Sequence, residues 1–395
     1  MIGFDDATGL AGGAGKPTGR ERVPLAAAAG RVLAVAVAAR VASPRTDVSA
    51  MDGYAVRDAD LAEFPARLLV VGTSFAGRGH GEPVPADGCV RIFTGASVPP
   101  GADRVIIQEN VGREGDVAVI GDSPGSARHI RRQATDFAIG EELVPAGRLL
   151  DPRALVAAAA ADVSEVVVHR QPHTSILATG DELAPPGSAA GEAGAIPESV
   201  SLGVAALAGQ WGSAVGGRWS VGDDLATLER AAARAVAEAD LVVVTGGASV
   251  GEKDFAKAMF APLGLELIFS KVAMKPGKPV WLGRVRETLV LGLPGNPTSA
   301  MVTARLLLAP LLCALSGRNP GDALRWRTAL LAGPLPACGE RETFHRARRD
   351  GSAVELLSDQ DSGAQKGLAA ADVLVRQGPG SPALAAGDTV EVLDF

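Results

Sequence analysis

Two textures of hydrophobic patterning divide the chain. From about residue 172 onward, short apolar runs alternate with longer amphipathic ones. The runs at 175–178, 241–245, 265–274, 280–282 and 289–293 read as strands, and 241–245 (LVVVT), apolar almost throughout, reads as a buried one. The stretches at 198–209, 223–239, 254–261 and 298–316 read as helices. Such alternation predicts right-handed crossovers and a mostly parallel sheet with helices on both faces. Earlier in the chain the pattern is shorter and more broken. The runs at 67–72, 90–93, 104–108 and 117–120 are β-like and separated by turn residues, as in a small β domain. Residues 25–41 start as an Ala-rich helix and end β-like, and 147–161 opens with Asp151-Pro152, an N-cap and N1 pair, before another Ala-rich helix. After residue 320 the runs at 328–331, 354–357, 373–376 and 389–393 predict a small C-terminal β domain. Residues 3–19 are glycine-rich and read as a mobile tail.

Composition sharpens this picture. With 395 residues the chain exceeds the roughly 250–300 at which one hydrophobic core stops growing, so two to four domains are expected. Hydrophobic residues make up 47% and charged residues 21%, which excludes global disorder. Glycine (49) and proline (26) are abundant and aromatics scarce, so the cores must be filled with Ala, Val and Leu. The net charge is −7 and no long basic run occurs, which argues against nucleic-acid binding. Cys89, Cys313 and Cys338 are far apart and the five histidines form no HExxH, so zinc, iron–sulfur and disulfide frameworks lack their ligands. The first ten residues carry Asp5 and Asp6 and no signal-peptide core. The apolar stretches at 32–39 and 306–315 fall short of the ~18 residues of a spanning helix, which predicts a soluble, cytoplasmic chain without membrane contact. The string AGGAGKPT at 11–18 only imitates a phosphate loop: Leu10 and Pro17 occupy positions that need Gly and Ser or Thr.

Candidate chemistry collects at the ends of the strands in the second half, where ligands of open parallel sheets sit. Three polar, glycine-rich segments fall there: Thr179-Gly180-Asp181-Glu182, the run from Thr245 through Gly246, Gly247, Ser249 and Gly251 to Asp254, and Leu293-Pro294-Gly295-Asn296-Pro297. Glycine lets backbone N–H groups approach an anion, and a following helix N-terminus adds a favourable dipole. Asp181, Glu182, Asp223 and Asp254 supply hard oxygens suited to Mg²⁺ bridging a phosphate. Lys271, Lys275 and Lys278 add localised positive charge, with Pro276 and Pro279 stiffening the backbone around the last two. Plainer explanations stand beside these: strand-end glycines form turns, Asp223 can be an N-cap, and Lys271 can be a solvated strand residue. Earlier, Ser49 to Ala55 holds the only tyrosine and reads as a tight turn with a capping Asp52.

Six strings in order resemble one family, the molybdopterin molybdenumtransferases of the MoeA and gephyrin E-domain type. They are SAMDGYAV (49–56), RIFTGASVPPGADRVIIQE (91–109), TGDEL (179–183), GGASVGEKD (246–254), KPGKP (275–279) and LPGNPTSA (293–300). The resemblance implies a multidomain α/β protein: a mostly parallel three-layer molybdopterin-binding domain (172–318), an inserted small β-rich domain (43–136), a discontinuous N-terminal helical and extended linker domain (1–42 with 137–171) and a C-terminal β-barrel-like domain (319–395). It implies insertion of molybdenum from molybdate into adenylylated molybdopterin, with Mg²⁺ present and AMP released, by a cytoplasmic homodimer. Partners would include a molybdopterin adenylyltransferase and molybdoenzyme maturation proteins. By motif, Gly180, Asp181, Glu182, Asp223, Gly246, Gly247, Ser249, Gly251 and Asp254 would handle nucleotide and metal, the ion falling to Asp181, Glu182 and Asp254. Lys275, Lys278 and Ser299 would take the oxyanion, with Lys271 nearby, and Pro294, Gly295, Asn296 and Pro297 would shape the loop. Asp52, Thr94, Arg131 and Asp136 would reach in from the partner subunit, and Arg341 and Arg346 would face the cleft. Asp52, Thr94, Glu182, Asp223, Asp254, Lys275 and Lys278 would be the catalytic group. The chain departs from the family at Val200, where asparagine is common, at Ala134, in a short loop before Ser49, and at Lys366-Gly367. A gephyrin-like scaffold and an adenylyltransferase-like pterin-binding protein are the competing readings.

Overall fold

The computed structural model describes residues 1–246 and 255–395. Its central unit is a six-stranded sheet built from β1 (His173–Thr179), β2 (Ala214–Val221), β3 (Leu241–Thr245), β4 (Glu266–Phe269), β5 (Trp281–Val285) and β6 (Thr288–Leu293), in the order β2-β1-β3-β6-β5-β4. The strands β2, β1, β3 and β6 run parallel, and β5 opposes both of its neighbours. Successive side chains of a strand face opposite ways, and both faces here are covered. Ile176, Val243 and Leu291 pack on one side with the helices Val200–Gln210 and Pro297–Leu315. Leu177, Val242, Val244 and Val290 pack on the other with Leu228, Ala232 and Ala235 of the helix Leu225–Glu238. The continuous LVVVT run is thus a strand buried on both faces, as its pattern predicts.

The helix Pro297–Leu315 is long and apolar enough to cross a membrane by length and composition, which run-counting along the sequence missed. Of its apolar 18-residue window, 94% is buried inside the protein, so it is a core helix. A π turn at Ala304–Leu308 precedes Pro310, and loosening the hydrogen-bond ladder there accommodates a residue with no N–H to donate.

The strands Arg327–Leu331, Glu342–Asp350, Ala353–Leu356, Val373–Gln377 and Thr389–Asp394 pair in a closed ring, a five-stranded barrel filled by Leu331, Ala347, Val354, Val373, Val375, Val390 and Val392. The two-residue strand Met274–Lys275 joins it, parallel to Glu342–Thr343, and links the barrel to the α/β unit. The expected strand at 265–274 is therefore two pieces in two sheets. Residues 53–120 form a separate six-stranded sheet in which Gly53 lies so close to the neighbouring strand that a Cβ would fall 1.9 Å from the Ile106 carbonyl oxygen. Only glycine fits there.

Two sequence expectations fail near the N-terminus. Residues 3–19 are no tail: Phe4–Ala14 is a helix whose Phe4, Ala7 and Ala11 are buried at helical spacing, in the core cluster that includes the helix Pro297–Leu315. Its glycines hide an apolar stripe of mostly small residues, which lets two helices approach closely. Residues 25–41 hold no α-helix. A 3₁₀ turn (Leu25–Ala27) gives way at Gly30, in the left-handed region with φ 74°, to extended chain ending in the strand Val37–Ala38, paired with Glu142–Val144. Branched Val32, Val35 and Val37 favour that extended course. The helix Pro152–Ala160 forms as expected, with Asp151 capping Ala154 N–H at 2.9 Å.

Candidate active site

Three parallel strands end side by side, and each contributes a turn. Thr179-Gly180 after β1, Thr245-Gly246 after β3 and Pro294–Pro297 after β6 line a cleft of about 660 Å³, together with Glu182, Glu198, Ser199, Val200 and Asp223. Gly246 has φ 93°, and a Cβ on it would lie 2.4 Å from the Thr179 carbonyl oxygen, so the β1 and β3 ends can be this close only with glycine between them. Glu182 lays its carboxylate against Gly180. Asp181 accepts the Asp223 backbone N–H at 2.8 Å, which ties the β1 end to the turn after β2.

Asp224, one residue later, is the cap of the helix Leu225–Glu238, accepting from Thr227 N–H at 2.9 Å and the Thr227 hydroxyl at 2.6 Å. The capping explanation for Asp223 is thereby removed, and its side chain lines the cleft instead. Glu198 is a residue that sequence reasoning missed. It is buried, accepts from Ser201 N–H at 2.8 Å and opens the helix Val200–Gln210 at the cleft wall. The signal was the Glu-x-x-Ser spacing at a helix start. Gly247, Ser249, Gly251 and Asp254 lie outside the described residues. Among the described residues, no three His, Cys, Asp or Glu groups converge tightly enough to hold a metal ion alone.

A second cleft of about 800 Å³ adjoins the first, with Pro279 in both walls. Lys275, Lys278 and Ser299 line it together with Arg341 and the barrel residues Thr343–Arg346, Lys275 being paired directly with Thr343. Asn296 donates to the Ser362 hydroxyl at 2.9 Å and Thr298 N–H to the Ser362 carbonyl at 3.1 Å, so the strand-end loop and the barrel loop are stitched together between the clefts. Lys271 is exposed and lines neither cleft.

Arg346 is 1% exposed. Its guanidinium donates to the carbonyls of Asp359 and Asp361 at 3.0 Å each, to Ala364 at 3.4 Å and to the Thr298 hydroxyl at 3.3 Å. It holds the loop after Ala353–Leu356 against the start of the long helix. His345 beside it was not singled out in the sequence, where RETFHRARRD looks like solvent-facing charge. Its Nε2 meets Gln377 Oε1 at 3.0 Å, and burial, with Lys275 nearby, holds its pKa below the usual 6.5. The folded protein therefore carries His345 neutral. An unfolded chain takes up a proton there as pH falls below 6.5, so stability should be flat above that value and drop below it. Urea midpoints between about pH 7.5 and 5.5 should show this loss, and His345→Gln should reduce it. The thiols play no such part: burial pushes Cys89 up to about 12 and Cys313 to about 11.

Residues 43–136, which include the separate six-stranded sheet, contribute to neither lining. There Asp52 accepts Thr94 N–H at 2.7 Å and its hydroxyl at 2.8 Å, bonds that lower the Asp52 pKa. Asp136 accepts weakly from the Ser43 hydroxyl at 3.4 Å, and Arg131 is exposed on a strand paired with Val48–Ser49. The structure does not bring these four to the clefts of their own chain.

Three family models match the chain in sequence order: the MoeA N-terminal region, domains I and II, at residues 3–161; a probable molybdopterin binding domain at 175–314; and the MoeA C-terminal region, domain IV, at 328–395. A molybdopterin molybdenumtransferase of Haemophilus influenzae is 38% identical over 304 residues, 77% of this chain and 74% of that protein. A molybdopterin molybdenumtransferase 2 of Mycobacterium tuberculosis is 35% identical over 350 residues, 85% of each. The crystal structure of a molybdopterin biosynthesis MoeA protein from Pyrococcus horikosii superimposes with a TM-score of 0.83 at 28% identity, covering 100% of this chain and 99% of that one.

Proposed function

The chain belongs to the molybdopterin molybdenumtransferase family, and we propose that it transfers molybdenum from molybdate to adenylylated molybdopterin and releases AMP. The observation that carries this reading is the pair of adjoining clefts. One is walled by glycine turns at strand ends, suited to a nucleotide phosphate; the other presents Lys275 and Lys278, suited to a small dianion. In net stoichiometry, replacing one molybdate oxygen by the two dithiolene sulfurs forms one water, and cleaving the phosphoanhydride consumes one.

Each part of the chain has a stated task. Gly180 and Gly246 leave the strand ends open for phosphate oxygens. Asp181 fixes the turn that carries Asp223. Lys275 and Lys278 hold molybdate, and Ser299 lines the same cleft. Asp181 and Glu182, with Asp254, would hold Mg²⁺. Mg²⁺ commonly takes one or two carboxylates and completes its shell with water and substrate phosphate, and Glu182 offers such a carboxylate on the cleft wall. Bound there, the ion would neutralise charge on the phosphoanhydride. In a homodimer, Asp52, Thr94, Arg131 and Asp136, which line neither cleft of their own chain, would complete the cleft of the partner subunit. The protein would work in the cytoplasm.

Incubating purified protein with adenylylated molybdopterin, Mg²⁺ and molybdate should release AMP in a molybdate-dependent manner. Release that ignores molybdate, or none, overturns the proposal.

A further inference from the structure

The segment that looks least like part of an enzyme in the sequence is bonded to the walls of the oxyanion cleft. Ile2 N–H donates to the Lys271 carbonyl at 3.1 Å, and Ala273 N–H donates to the Ile2 carbonyl at 2.8 Å. Residue 2 thus pairs along the stretch that runs directly into Lys275. Glu342 N–H then donates to the Ala273 carbonyl at 3.0 Å, so the same stretch is also tied to the barrel strand beside it.

Two residues further on, Phe4 is 2% exposed and meets Phe344 edge to face at 4.6 Å between centroids. Phe344 lines the cleft, so Phe4 backs that wall. Asp5 accepts from Arg376 at 2.8 and 2.9 Å, and Arg376 also pairs with Glu342. The rest of the helix, through Ala7 and Ala11, packs in the cluster that contains the long helix whose first turn carries Ser299. Three of the elements that wall the cleft, the stretch before Lys275, the strand with Phe344 and the helix with Ser299, are therefore approached by this one N-terminal segment.

We propose that residues 2–5 are positioning residues for molybdate, holding the paired strands that carry Lys275 and Phe344–His345 in place against the rest of the cleft. This rests on the reading that the Lys275 cleft takes molybdate. Residues 2–5 line neither cleft, but Phe344, which Phe4 touches, lines only the Lys275 cleft, so the effect should be selective. A displacement near 1 Å at a charged contact is enough to cost orders of magnitude in rate.

The test uses full-length Phe4→Ala and Asp5→Asn, with Phe4→Leu as the conservative control. Phe4→Ala should raise KM for molybdate about tenfold while leaving KM for adenylylated molybdopterin within about twofold, and Phe4→Leu should restore most of the difference. A second readout needs no turnover: the acylation rate of Lys275 relative to exposed Lys366, followed by peptide mass spectrometry, should change in Phe4→Ala and Asp5→Asn. A lowered melting temperature with both KM values and the Lys275 acylation rate unchanged would reduce the segment to a strut and overturn the proposal. A parallel rise in both KM values would overturn it as well. If the wild-type protein releases no molybdate-dependent AMP, the function reading fails, and the acylation arm still decides whether residues 2–5 position Lys275.

Discussion

Lys275→Ala should lower molybdate-dependent AMP release by about 10²–10³-fold, the range seen when one preorganised donor to a developing anion is removed. The fold should survive. The Lys275 side chain is exposed, and its contribution to the barrel is backbone pairing with Thr343, which alanine keeps. The melting temperature and the circular dichroism spectrum should therefore match the wild type, and the lost activity should appear largely as weakened molybdate dependence. Lys278→Ala should act in the same direction. The two effects should not add, because both lysines line one cleft and neighbouring sites couple. A Lys275→Ala protein with normal AMP release would show that the oxyanion is held elsewhere.

Arg346→Ala should produce the largest loss of stability. The substitution removes a buried guanidinium from three carbonyls and a hydroxyl at once. Each buried acceptor left without a donor costs about 1–3 kcal/mol, so even partial rehydration leaves a deficit of about 3 kcal/mol or more. Arg346→Lys should recover little, since an ammonium cannot reproduce the planar fork. The measurement is the denaturant midpoint of the C-terminal β domain alongside AMP release. Activity should fall with stability, because the loop that Arg346 holds supplies Ser362 to Asn296. Activity lost at unchanged stability would instead make Arg346 a substrate contact.

How much of this was legible depends on where the information sits. The α/β sheet could be read because LVVVT and its neighbours are apolar on both faces and each ends in glycine or proline turns. Its strand β2 could not: RWS and two glycines inside Ala214–Val221 suppress both the alternation and the apolar run. Glu342–Asp350 was invisible for a related reason. Its Arg346 and Glu342 are buried charged residues that only the tertiary partners Asp359, Asp361 and Arg376 make tolerable. The helix Phe4–Ala14 was lost to composition, since one phenylalanine and two alanines carry its whole buried stripe.

The candidate site was legible unevenly. Gly180, Gly246 and the 293–297 loop follow from strand ends, and Lys275 and Lys278 follow from charge set between prolines. Which aspartate caps the following helix, 223 or 224, is a matter of one residue of register that only the backbone settles. Lys271 carries the same charge as Lys275 but lies outside both linings. Asp52, Thr94, Arg131 and Asp136 came from family resemblance alone. Nothing in their local chemistry points beyond a capped turn.

The ion pair between Asp5 and Arg376 spans 371 residues of chain. During synthesis, at roughly 5–20 residues per second, Asp5 is made tens of seconds before its partner exists. The buried stripe of the helix Phe4–Ala14 has nothing to cover until the long apolar helix emerges, and that helix in turn lacks part of its cover until residues 4–11 return to it. Docking of the N-terminal helix must therefore be a late event in folding. The interval before it leaves the long apolar helix Pro297–Leu315 partly open to other chains.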